Sequence, residues 1–144
     1  LALIFYMDLL GYILVGSSAL RSTRDLAIQV SSYIEPDTQV IIYDTSLESL
    51  PFYLKINQPI WIVWSGEKDS VMGSFYLAEE TARSTPGFGR VLLTFEEFDE
   101  QWAKAPKNHF VVFIKPKNLP HLEREVGNSA KVLLEDRGLL LVSN

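Results

Sequence analysis

Cysteine is absent from all 144 residues, which excludes disulfides, thiolate metal sites and cysteine nucleophiles. A cysteine-free chain suits either side of a bacterial membrane, so the redox compartment stays open. Histidine is nearly as scarce: His109 and His121 stand alone without metal-ligand spacing, which assigns them to surface or packing roles. A basic excess is also missing. Thirteen Lys and Arg face 18 Asp and Glu for a net charge of −5, so no basic face is concentrated for phosphate neutralisation and a nucleic-acid partner is disfavoured. Neither the GxGxxG nor the GxxxxGK[ST] phosphate-loop pattern occurs, and Gly87-Phe88-Gly89-Arg90 reads as a plain turn. Ser46 and Ser49 lack a GxSxG context, so a serine hydrolase is not indicated. No repeat or low-complexity tract is present. What remains, 47% hydrophobic and 22% charged residues, is the composition of a globular domain with a modest core.

The chain begins at Leu1 instead of Met, which suggests a fragment of a longer protein. Residues 1–20, LALIFYMDLLGYILVGSSAL, carry one charge, Asp8, and approach the roughly 20 apolar residues that span a bilayer. Arg21 and Arg24 follow at once, as at a membrane interface. A mid-helix Asp costs about 2.5–3.5 kcal/mol on insertion scales, and Gly11, Gly16 and Ser17-Ser18 weaken the run. Two expectations stand side by side: the end of a transmembrane helix, or an apolar helix packing Leu3, Met7, Leu10 and Leu14 into the domain. No basic region precedes the run, which argues against a signal peptide. The division expected is therefore residues 1–20, and an α/β domain over residues 21–144.

That second part alternates strand and helix signals. Ser22-Thr23 can cap a helix through Leu26, Ala27, Val30 and Tyr33, ended by Pro36-Asp37. Val40-Ile41-Ile42-Tyr43, Ile60-Trp61-Ile62-Val63-Trp64 and Phe110-Val111-Val112-Phe113-Ile114 are apolar runs of strand length, the second apolar on both faces as in a buried parallel strand. A short helix near residues 75–81 sits among loops, and a brief strand is expected over residues 90–93. Thr94 followed by Glu97 is a capping box for a helix carrying Phe98 and Trp102 and stopping before Pro106. Its acidic residues Glu96, Glu97, Asp99 and Glu100 read as a solvated face. Asn118-Leu119-Pro120 opens another helix with Leu122 and Val126 inward. Residues 131–134 and 139–142 flank Glu135-Asp136-Arg137-Gly138, a hairpin signal. The fold class expected is α/β: a mixed, mostly parallel sheet with helices on both faces and a C-terminal antiparallel hairpin.

The segment from Tyr43 to Leu54 follows a strand, where open α/β sheets place ligands. Asp44 and Glu48 could accept hydrogen bonds from sugar hydroxyls, with Tyr43, Phe52 or Tyr53 as a stacking surface. In the competing reading Leu47, Leu50, Phe52 and Leu54 are core, while Asp44 and Ser46 cap a short helix that Pro51 kinks or breaks. No acid–base pair, metal cluster or cofactor motif emerges.

Ser22-Thr23-Arg24-Asp25-Leu26-Ala27, the strand ending Tyr43-Asp44, then Leu50-Pro51-Phe52-Tyr53-Leu54 form an ordered set. Phe95-Glu96-Glu97-Phe98-Asp99, Trp102 and the closing hairpin extend it. The set resembles the C-terminal soluble domain of aminoarabinose-transferase-like glycosyltransferases, which belong with the protein-mannosyltransferase-related membrane enzymes. The resemblance covers most of residues 21–144, and residues 1–20 fall where the last membrane helix of such enzymes ends. It implies an extracytoplasmic domain on the bacterial cytoplasmic membrane, whose parent transfers a sugar from a polyprenyl-phosphate carrier to a lipid or protein acceptor. It further implies that the partner is the membrane region of the same polypeptide and that the catalytic carboxylates lie there. No catalytic residue, metal ligand or cofactor site is therefore carried onto this chain. The substrate-facing candidates are Asp44, Glu48, Tyr53 and Lys55, although Lys55-Ile56-Asn57-Gln58-Pro59 replaces the Gly-Arg-Pro context of relatives. Two other classes remain: a free-standing α/β module binding a small molecule or protein, and a small hydrolase joining a histidine to a serine.

Overall fold

Two five-residue runs rich in β-branched and aromatic side chains, Gln39–Tyr43 (β1) and Phe110–Ile114 (β4), pair in parallel along their whole length, every residue buried. Runs without a polar face can be strands only if both faces are covered, and here they are. The computed structural model describes residues 24–47, 49–66 and 91–144. The run 1–20, Glu48, the helix expected near 75–81 and the Gly87-Phe88-Gly89-Arg90 turn lie outside the described residues.

Among those described, six strands form one sheet in the order β3-β2-β1-β4-β6-β5, with β2 at Trp61–Val63, β3 at Leu92–Leu93, β5 at Lys131–Asp136 and β6 at Leu139–Ser143. The first four strands are mutually parallel; β6 runs antiparallel to both β4 and β5. This is the expected mixed α/β sheet with a closing hairpin. Arg137 and Gly138, at φ of 47° and 77°, make its two-residue turn. Positive φ at both positions is what lets the turn follow the strands' own twist.

Helices cover the two faces separately. α1, Arg24–Val30, and α2, Leu50–Leu54, bury Leu26, Ala27, Val30 and Leu50 against Val40, Ile42, Val111 and Phe113. On the opposite face α3, Phe95–Lys104, and α4, Leu119–Val126, bury Phe98, Trp102 and Leu122 against Ile41, Tyr43, Val112 and Ile114. The alternation of β1 and β4 thus feeds two cores of different membership, one per face.

Three expectations change in detail. The second strand is three residues, not five, and Trp61 and Ile62 are only half-buried because β2 has just the two-residue β3 outside it. α2 starts at Leu50, with Ser49 before it making no side-chain cap bond and Pro51 in the first turn, so the N-cap position falls at Ser49 and not at Asp44, Thr45 or Ser46. Phe52 is not core: it is 80% exposed, since a helix that buries Leu50 and half-buries Leu54 turns position 52 to the far side.

Candidate functional site at the carboxyl edge of the sheet

The chain runs outward from β1 through β2 to β3, then returns across α3 to place β4 on the other side of β1. The helix after β1 lies on one face and the helix after β3 on the other. The carboxyl ends of β1 and β4 therefore form a topological switch point, the place where open α/β sheets hold ligands.

Tyr43 ends β1 there. Its ring is fully buried, stacked on Phe95 at 5.0 Å between centroids and edge-on to Phe98 at 5.7 Å. Its hydroxyl lies 3.1 Å from His121 Nδ1, and His121 in turn tilts onto Phe95 at 4.6 Å. Burial pushes the Tyr43 phenol far above its usual range, with Asp99, Asp44 and Glu125 adding in the same direction. The phenol therefore stays protonated at neutral pH. This excludes the expected stacking role for Tyr43, which is already enclosed by protein rings.

Asp44 follows in the left-handed region at φ 44°, which Asp tolerates better than most residues. Its carboxylate is buried, and Oδ1 accepts from the Ser65 backbone N–H at 3.1 Å and from Ser65 Oγ at 2.7 Å. Its own N–H donates to Val63 O at 2.8 Å. Asp44 thus ties the ends of β1 and β2 together.

At the start of α3 the capping box is complete. Thr94 Oγ1 accepts from Glu97 N at 3.3 Å, and Glu97 Oε2 accepts from Thr94 N at 2.9 Å. Glu96 is held below the usual carboxylate range by hydrogen bonds at its own backbone and Thr94, with His121 a smaller cause. Asp99 departs from the solvated face expected of this helix. One of its oxygens is buried without a hydrogen-bond partner, and its carboxyl is raised by desolvation and then by Glu125, against a lowering from His121. Asp99 sits one position past Phe98 and three before Trp102, so it borders the buried stripe. That spacing was the available signal, and the acidic run around it hid it. His121 was missed because nothing in a sequence brings it to Tyr43, 78 positions away.

Tyr53 and Lys55 do not gather around Asp44. α2 carries the chain back to the amino ends of the strands, where Lys55, at φ 52°, lines a cleft of about 270 Å³ with Glu35, Pro36, Thr38, Asn57 and Gln58. Thr38 immediately precedes β1 and Asp44 immediately follows it, so six residue steps, about 20 Å in extended chain, separate the two levels. Tyr53 is 43% exposed on α2 and faces outward beside Phe52. Among the described residues no group of three His, Cys, Asp or Glu side chains is placed to hold a metal ion. None of the described helices is long and apolar enough to cross a membrane.

No family model matches the chain, and neither does any curated protein. Two solved structures of ArnT from Cupriavidus metallidurans are similar to it. The apo state superposes with a TM-score of 0.61 at 21% identity, over 87% of this chain and 20% of that one. The state bound to undecaprenyl phosphate gives 0.60 at 24% identity, over 94% and 21%. The chain spans about a fifth of the length of these structures, and the likeness establishes a shared fold for that part.

Proposed function

We propose that this chain is an extracytoplasmic domain of a polytopic membrane glycosyltransferase that uses a polyprenyl-phosphate-linked sugar donor. It caps a catalytic region that lies in the membrane portion of the same polypeptide and does not itself carry the reacting groups. One observation carries the reading: nearly all of the chain superposes on about a fifth of ArnT, an aminoarabinose transferase solved with undecaprenyl phosphate bound. The apolar run at residues 1–20, directly before the α/β domain, supports placement at a bilayer.

Within this reading Tyr53 and Lys55 are the candidates that project from the domain and can meet a lipid-linked sugar or its phosphate. Asp44 serves indirectly, fixing the β1 and β2 loops through Ser65, and Glu48 stays a candidate on its sequence position. Deleting residues 21–144 from the parent enzyme and assaying sugar transfer in membranes tests the capping role. Insertion should persist while transfer falls; unchanged insertion and turnover would overturn it.

The cleft beside Lys55 favours a second reading, a free-standing α/β module that binds a small polar molecule. A chain of that kind would remain monomeric in buffer without detergent, which sedimentation measures directly.

A further inference from the structure

Five large hydrophobic side chains are conspicuously exposed among the described residues: Ile28 at 62%, Tyr33 at 40%, Phe52 at 80%, Tyr53 at 43% and Val132 at 45%. Four of them belong to one layer, α1 with its trailing turn and α2, and Val132 stands apart on the edge strand β5. The arrangement follows from helical geometry. α1 buries Leu26, Ala27 and Val30, which turns Ile28 away from the sheet, and α2 buries Leu50, which turns Phe52 away. Because both helices pack on the same sheet face, their outward side chains share one surface. The same outer surface also carries exposed Arg24, Asp25, Gln29, Ser31 and Ser32, so apolar and polar groups alternate on it as they do on an interfacial helix.

The position of that layer in the chain bears on what it faces. Four residue steps separate Leu20, the end of the apolar run, from Arg24, the first residue of α1. Fully extended, they reach at most about 14 Å. If residues 1–20 end in a bilayer, α1 is held at its surface, and the layer bearing Ile28, Phe52 and Tyr53 is the part of the domain joined directly to it. Tyrosine and phenylalanine suit that depth, since an aromatic ring can rest among the acyl boundary with a polar edge in the headgroups.

We propose that the outer surface of α1 and α2 is a bilayer-contact surface, with Ile28, Phe52 and Tyr53 lodged among phospholipid headgroups. The inference rests on the membrane reading above and deepens it: a domain seated this way brings Tyr53 and Lys55 to the level at which a polyprenyl phosphate presents its phosphate. With a net charge of −5 the chain gains little from attraction to anionic lipid, so the apolar side chains supply the contact.

The absence of native cysteine allows a direct test on the full chain. Single Ile28→Cys, Phe52→Cys and Val132→Cys variants, labelled with nitrobenzoxadiazole, are reconstituted into phosphatidylethanolamine–phosphatidylglycerol vesicles containing phosphatidylcholine brominated in its acyl chains. Circular dichroism verifies that each variant is folded. The labels at 28 and 52 are expected to shift to the blue and to lose emission to the brominated lipid, unchanged by high salt, while the label at 132 does neither. If the protein floats with the vesicles but labels 28 and 52 remain open to aqueous iodide, the contact surface is wrong and the membrane reading survives. Labels shielded from both iodide and bromolipid would mean a protein cover, residues 1–20 or a second copy, and would overturn the proposal. Quenching that vanishes in high salt would overturn an apolar contact. Failure to float at all would sink both readings together.

Discussion

At the scale of single residues, Asp99 and Tyr43 set how this fold responds to pH. Desolvation and Glu125 raise the Asp99 carboxyl, so the folded state holds that proton more tightly than the unfolded chain does. A raised pKa contributes stability that is complete below the unfolded value and is lost as pH climbs through the folded one. The contribution is therefore present at acid pH and lost as the carboxyl ionises. Asp99→Asn should raise the melting temperature at pH 7, and the gain should shrink as pH falls through the carboxylate range; thermal unfolding at both ends measures it. Tyr43 works at the alkaline end. Its phenol is raised by burial, so stability should decline as pH rises past about 10, the unfolded tyrosine value. Tyr43→Phe should flatten that decline while costing about 0.5–1.5 kcal/mol at neutral pH for the lost bond to His121. Denaturant melts across the pH range would separate the two effects. Neither behaviour was legible in the sequence. A carboxylate in an acidic run looks solvated until a helix places it against Glu125, and Tyr43 looks like a ligand platform until Phe95 covers it.

At the scale of elements, local chemistry was readable wherever it was self-contained. The Thr94–Glu97 pair needs only three intervening peptide units to close, and both of its bonds form. Thr94→Ala should cost about 0.5–2 kcal/mol, and Glu97→Gln should retain most of that, since a neutral carboxamide can still accept from the Thr94 N–H. Guanidinium or urea midpoints give both values. The Phe110–Ile114 strand and the Arg137-Gly138 turn were equally legible, the first from an unbroken apolar run and the second from the one glycine able to take positive φ without strain. The Asp44-Thr45-Ser46 stretch was not. Its residues suit a helix cap, but Asp44 is claimed by Ser65, just past the neighbouring strand and 21 positions on, and the helix starts only at Leu50. A non-local bond to a buried carboxylate outweighs a local cap, because leaving the charge unpaired costs more than leaving one helix N–H to water. The exposure of Phe52 follows from that later start.

At the scale of the whole molecule, the sheet divides the interior into two cores that, among the described residues, share no buried side chain. Leu50 lies in one, beneath α1 and α2, and Leu122 in the other, beneath α3 and α4; both are fully buried. Truncating either to alanine should cost about 2–5 kcal/mol, the loss of transfer energy plus the cavity left behind. A helix layer packs about 10 Å from a sheet, so the two sites are well beyond direct contact, and substitutions that far apart without shared partners add to within about half a kcal/mol. Leu50→Ala with Leu122→Ala should then cost about 4–10 kcal/mol, most of the 5–15 kcal/mol that a domain of this size possesses. The double variant should melt near or below room temperature, while each single variant keeps the wild-type urea slope and only lowers the midpoint. A double-mutant cycle decides the matter. A coupling energy near zero means the sheet isolates the two cores, so that the outward face of α1 and α2 can be altered without disturbing the Tyr43–His121 contact across it. A coupling of more than about 1 kcal/mol would mean that β1 and β4 transmit packing strain between their faces, and a change in how α1 and α2 are seated would then reach the carboxyl edge of the sheet.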